Sequence, residues 1–119
     1  MAERVMLVED EFLVALDVRM TIEAMGLSVD GPYAALADAQ KAFAASGTEG
    51  LLCAVLDVQL RDGEVFPLAD QLKEAGVPVI FHSGHASPDS LEARYPDAQI
   101  CGKPSSPDAI RKAITKYRQ

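Results

Sequence analysis

Short apolar runs alternate with amphipathic stretches along the whole chain. Arg4-Val5-Met6-Leu7-Val8 reads as a strand buried on both faces. From Glu11 to Met25, Leu13, Leu16 and Met20 mark one helical face, and Gly26 is placed to stop that helix. Leu27-Ser28-Val29 predicts a weak second strand, closed by the turn signal Asp30-Gly31-Pro32. Leu36, Ala39 and Phe43 predict a second helix that ends near Gly47. Leu51 to Leu56 is the third strand; Val65, Leu68, Ala69 and Leu72 follow at i, i+3, i+4 and i+7 of a third helix, ended by Gly76. Val77 to Phe81 is the fourth strand. Ser87 to Tyr95 carries a poor helical face held by Leu91 and Tyr95. Ala98 to Cys101 is a short fifth strand. Ser106-Pro107-Asp108 then opens a last helix, with a capping hydroxyl, a proline in the first turn and an acid at the positive end of the dipole. Its buried face is Ala109, Ile110, Ala113, Ile114 and Tyr117.

Five strands alternating with five helices predict an α/β fold, a parallel sheet covered on both sides. The 119 residues fit one domain, and 49% hydrophobic content is enough for a core at this size. No stretch reads as a linker or a repeat. The formal net charge of −7 argues against nucleic acid or an anionic membrane as the main partner. It leaves room for a metal cation or a basic protein face. The early apolar run is cut by Glu9-Asp10-Glu11, so no secretory signal is read, and no run approaches the length of a membrane span. Cys53 and Cys101 lie in strand-like segments without metal-ligand spacing, which predicts two buried thiols and a reducing, cytoplasmic location.

In such sheets the chemistry gathers at the carboxyl ends of the strands. Glu9 and Asp10 stand at the end of the first strand and Asp57 at the end of the third. His82, Ser83 and Gly84 follow the fourth strand, and Lys103-Pro104 the fifth. A carboxylate closing the apolar run LLCAVLD is costly to desolvate unless something answers it. Three converging carboxylates repel, and a divalent cation removes that cost. Oxygen-only donors on a solvent-facing rim favour Mg2+. Lys103 is expected on the far side, so a phosphoryl group could bridge the metal and Lys103 while Ser83 donates to one oxygen. That set serves phosphoryl transfer to a carboxylate, giving an acyl phosphate.

On these residues the chain resembles, over its whole length, the receiver domain of two-component response regulators. The resemblance rests on Glu9-Asp10, Asp57, Ser83 and Lys103-Pro104 at matching strand ends. It implies a doubly wound, flavodoxin-like (βα)5 sandwich with a parallel sheet of order 2-1-3-4-5. It implies that Asp57 is the phosphoacceptor. Asp10, Asp57 and the backbone carbonyl of Gln59 would bind Mg2+, with Glu9 acting through water, and Ser83 and Lys103 would hold the phosphoryl oxygens. The Lys103–Pro104 peptide is expected to be cis. Gln59, Gly84 and His85 occupy positions that tune the lifetime of the acyl phosphate in receivers. Ile100 stands where receivers usually carry an aromatic switch residue, so the signal is expected to leave through the loop after the fourth strand.

A narrower resemblance joins DVQLRDGEVFPLADQL and the later FHSGH to the FAT GUY regulators, named for a Phe-Ala-Thr-Gly motif after the fourth strand. Here His82 replaces the small residue, Ser83 the threonine and His85 an expected tyrosine. His82 can pack inward or meet a partner. The expectation is one receiver domain over residues 1–119 without an output domain, as a monomer or weak dimer. It takes its phosphoryl group from a histidine kinase or phosphotransfer protein and signals to a downstream protein partner. It catalyses only its own phosphorylation and dephosphorylation. A degenerate receiver that binds a partner without phosphorylation, a phosphate sink, and a flavodoxin-like carrier are the other readings. The carrier reading wants a Ser/Thr-rich loop where this chain has acids.

Overall fold

The computed structural model describes residues 3–84 and 88–118. In chain order the elements are β1 (Arg4–Val8), α1 (Phe12–Ala24), β2 (Ser28–Tyr33), α2 (Leu36–Ser46), β3 (Leu51–Leu56), β4 (Gln59–Leu60), β5 (Gly63–Glu64), α3 (Phe66–Glu74), β6 (Val79–Ser83), α4 (Pro88–Arg94), β7 (Gln99–Gly102) and α5 (Pro107–Thr115). Five parallel strands form one sheet in the order β2-β1-β3-β6-β7, which is the expected order 2-1-3-4-5 of the main strands. The antiparallel pair β4–β5 is an addition that the apolar pattern does not announce.

The sheet divides the core in two. One cluster gathers Met6, Val8, Ala54, Leu56 and Phe81 from the strands with Leu68 and Leu72 of α3. The other gathers Val5, Leu7, Cys53, Val55 and Ile80 with Val18 and Ile22 of α1 and Ile110 and Ile114 of α5. Alternate residues of each strand thus face opposite helix layers, so the central strands read as continuous apolar runs.

The α1 face is corrected by the structure. Leu13, Leu16 and Met20 are exposed (76%, 43% and 61%), as is Phe12, while Ala15, Val18, Thr21 and Ile22 are buried. Two apolar stripes run along this helix at helical spacing. The one with smaller residues faces the sheet, and the longer side chains point outward. The second strand is also longer than expected. Instead of closing at Asp30-Gly31-Pro32, β2 runs on to Tyr33, whose carbonyl accepts from Glu9 N at 2.9 Å. Gly31 makes this possible: its φ is +118°, and a Cβ there would stand 2.5 Å from the Leu7 carbonyl oxygen. Register against β1 shifts across this point, from Met6 opposite Asp30 to Val8 opposite Tyr33. Finally, β6 begins at Val79 rather than Val77 and includes His82 and Ser83 as its last residues.

Candidate functional site

The strands carry the expected groups to one rim. Asp57 follows β3, and its backbone N donates to the Val8 carbonyl at 2.9 Å, so the β1–β3 ladder itself sets its place. Glu9 and Asp57 are nearly sealed, at 3% and 4% exposure, and Asp10 is half-buried. The rim is therefore less open around these two carboxylates than the solvent-facing site expected. Carboxylate oxygens of Glu9, Asp10, Glu11 and Asp57 lie within 4.8 Å of one another. An all-carboxylate donor set of this kind fits a hard cation such as Mg2+.

Lys103 stands within this group rather than across from it. Its Nζ is 2.7 Å from Glu9 Oε1, 3.2 Å from Asp57 Oδ2 and 3.7 Å from Glu11 Oε1. The carboxylates attract the ammonium at these distances. Burial works against that ammonium, but Glu9 and Asp57 outweigh it and hold the Lys103 pKa above its usual range. Burial pushes the Glu9 carboxyl up to about 7, against the pull of Lys103, and Asp57 beside it adds to the rise. Glu9 Oε2 also accepts from Glu11 N at 3.1 Å, which ties the start of α1 to the site.

Ser83 is buried at the end of β6, and its carbonyl accepts from Lys103 N at 3.2 Å. Gly84 lies against the same lysine: a Cβ on it would stand 3.4 Å from Lys103 Cβ. The Lys103–Pro104 peptide is cis. Gln59 opens β4, is exposed, and donates from Nε2 to Glu64 at 3.3 Å. His85 lies outside the described residues.

Two features escaped the sequence reading, and a third decides between the two placements it left open for His82. Glu11 joins the acidic group as well as standing at the helix start. His82 is buried, and its Nε2 is 2.7 Å from Ser105 Oγ. Asp62, in the β4–β5 turn, accepts from Leu36 N and Ala37 N at 2.6 and 3.1 Å. The hairpin that follows Asp57 is thereby tied to the first turn of α2. Neighbouring acids and turn signals hint at Glu11 and Asp62. No sequence signal names Ser105 as the partner of His82.

With the geometry in view, the likenesses to known proteins follow the fold. The chain is 31% identical over 118 residues to the phyllosphere-induced regulator PhyR of Methylorubrum extorquens, covering 98% of this chain and 43% of that protein. The chain thus spans less than half the length of the curated relative it matches. A response regulator receiver protein from Sinorhizobium medicae superposes with a TM-score of 0.85 at 22% identity, covering 98% of this chain and 94% of that one. SdrG from Sphingomonas melonis superposes with a TM-score of 0.80 at 28% identity, covering 98% and 96%. No family model matches the chain. The fold is that of the response-regulator receiver domains. Within that class the relatives in sequence are PhyR-like.

Proposed function

We propose that this receiver domain accepts a phosphoryl group on Asp57 from a histidine kinase or phosphotransfer protein and passes the signal to a protein partner. The observation that carries the reading is the Asp57 carboxylate, sealed at the end of β3, 3.2 Å from the Lys103 ammonium and among three further acids. An Asp57 oxygen attacks the phosphorus of a phosphohistidine. The new P–O bond forms as the P–N bond breaks, and the imidazole leaves with the electron pair and takes up a proton. Lys103 shifts from the carboxylates to the incoming phosphoryl oxygens, and Ser83 donates to another. Asp10, Asp57 and the Gln59 carbonyl would hold Mg2+, with Glu9 acting through water; bound there, the cation supplies charge neutralisation for the transferring group.

A protein partner downstream is supported by the likeness, at 26% identity, to PhyR of Bartonella quintana, an anti-anti-sigma factor. The run from Asp57 to Leu72 and the FHSGH segment support a place near the FAT GUY regulators. The chemistry belongs to the protein's own acceptor, so the chain is no enzyme toward other molecules. The two free cysteines, Cys53 and Cys101, support a reducing, cytoplasmic setting. Among the described residues no helix is long and apolar enough to cross a membrane.

Incubation with Mg2+ and phosphoramidate, a small P–N donor, tests the reading by intact mass. One phosphoryl adduct is expected on the native protein and none on Asp57→Asn. Equal labelling of both proteins contradicts it.

A further inference from the structure

The segment that carries Lys103 leaves the sheet with little backbone support. Strand pairing places His82 opposite Cys101 and Ser83 opposite Gly102, and the last ladder bond joins Lys103 N to the Ser83 carbonyl. Pro104 has no N–H to offer. The next anchor is Ser106, whose side chain caps α5 by accepting from Ala109 N. Between these points a side-chain hydrogen bond crosses back to β6: His82 Nε2 lies 2.7 Å from Ser105 Oγ. His82 is 4% exposed, and it floors a cleft of about 630 Å³ whose walls include Val14 of α1, Lys103 and Pro104.

We propose that His82 is a positioning residue for Lys103: through its hydrogen bond to Ser105 it holds the 103–105 segment so that the ammonium stays aimed at Asp57. The inference rests on the phosphoacceptor reading and deepens it. A lysine side chain has four flexible carbons and loses much rotamer freedom when held at one point. Fixing its backbone on both sides lowers that cost, by the ladder bond at Lys103 N and by the His82 bond two residues on. Burial and the nearby Lys103 ammonium both lower the His82 pKa, so the ring is neutral and adds no second positive charge beside the site. A buried polar ring is retained at a cost that an apolar residue of similar size avoids. Its hydrogen bond offsets that cost, and the bond ends on the loop that carries the lysine.

The test measures the phosphorylation rate from phosphoramidate with Mg2+ for the native protein, Ser105→Ala, His82→Ala and His82→Gln, each also in a Lys103→Ala background. Ser105→Ala removes one hydroxyl and keeps the volume, so it guards against misfolding of the larger change, and a thermal melt checks all variants. Ser105→Ala and His82→Ala are expected to slow the reaction about ten-fold, the scale of one lost positioning bond. His82→Gln, which can place its amide near the Nε2 position, is expected to recover most of the rate. In the Lys103→Ala background the same changes are expected to have no further effect. If the native protein is phosphorylated and Ser105→Ala matches it, or if Ser105→Ala slows the reaction equally without Lys103, the positioning role is overturned. Failure of the native protein to label counts instead against the phosphoacceptor reading.

Discussion

Lys103 Nζ stands 2.7 Å from Glu9 Oε1, closer than to any other carboxylate. The ammonium therefore answers the most deeply buried acid of the group first. In the metal-free protein Glu9 holds its proton up to about pH 7, against an ordinary 4.5. A folded pKa above the unfolded one means that this group's contribution to stability is fully present below about 4.5 and is lost as pH rises through about 7. A cation placed among the four acids favours the ionised carboxyl and must displace that proton. The rise in melting temperature caused by Mg2+ is expected to be larger near pH ~8 than near pH ~5.5. Equal shifts at the two pH values would contradict this account of Glu9.

Removing Lys103 leaves the buried acids without their nearest positive charge. Lys103→Met is expected to cost about 2 kcal/mol at neutral pH, below the cost of a fully sealed pair because the lysine keeps some exposure. Urea titration reads this, and Mg2+ is expected to recover part of the loss. A variant as stable as the native protein without Mg2+ would show that the pair contributes nothing.

The two stripes of α1 make a direct comparison. Ile22→Ala is expected to cost about 3 kcal/mol, since the side chain is wholly buried against β1, β3 and α5. Leu13→Ala is expected to stay within ~0.5 kcal/mol, as an exposed substitution. Urea midpoints decide it; the opposite order would mean that the outward stripe is the packed one.

Much of this architecture was legible from apolar spacing. The runs at Met6–Val8 and Leu51–Leu56 can only be central strands, which drives Glu9, Asp10 and Asp57 to one rim. The α1 face was not legible, because Leu13-Leu16-Met20 and Ala15-Val18-Ile22 share the helical period and hydrophobicity favours the wrong one. Packing decided it: smaller side chains let the helix approach the sheet. The end of β2 was misread because Gly31-Pro32 is a turn signal that here serves as a register shift. The sequence left His82 either packed inward or facing a partner; β6 ends at Ser83 rather than Phe81, so His82 belongs to the strand and is buried. The position of Lys103 was anticipated, but its place among the acids depends on a balance of charges that spacing does not reveal.

The β4–β5 hairpin is tied to α2 through Asp62. The bonds from Ala37 N and Leu36 N lower the Asp62 pKa, so their contribution is fully present above the ordinary carboxylate value and is lost as pH falls through the lower, folded one. Asp62→Ala is expected to speed amide exchange at Leu36 and Ala37 in NMR hydrogen exchange, with little change at Ala39. Unchanged protection at both amides would remove the tie from the account.

The far end of α4 is held to α3. Tyr95 donates to Asp70 Oδ1 at 2.6 Å, Arg94 pairs with Asp70 Oδ2 at 3.3 Å, and the guanidinium lies 4.5 Å from the Phe66 ring centre. Tyr95→Phe keeps the ring stack and removes the donor. It is expected to cost about 1 kcal/mol and to raise exchange in residues 91–95 more than in α3. Exchange that rises equally in both helices would indicate loss of the core rather than of a local anchor.

The central claim is that Asp57 is the acceptor, and mapping the modified residue tests it most directly. The protein is phosphorylated with Mg2+ and phosphoramidate, reduced with borohydride, which converts an acyl phosphate to an alcohol, and digested for peptide sequencing by mass. The account predicts conversion at Asp57 alone, with Glu9, Asp10 and Glu11 unchanged. Conversion at one of those acids, or a stable phosphoryl group on Ser83, would contradict it.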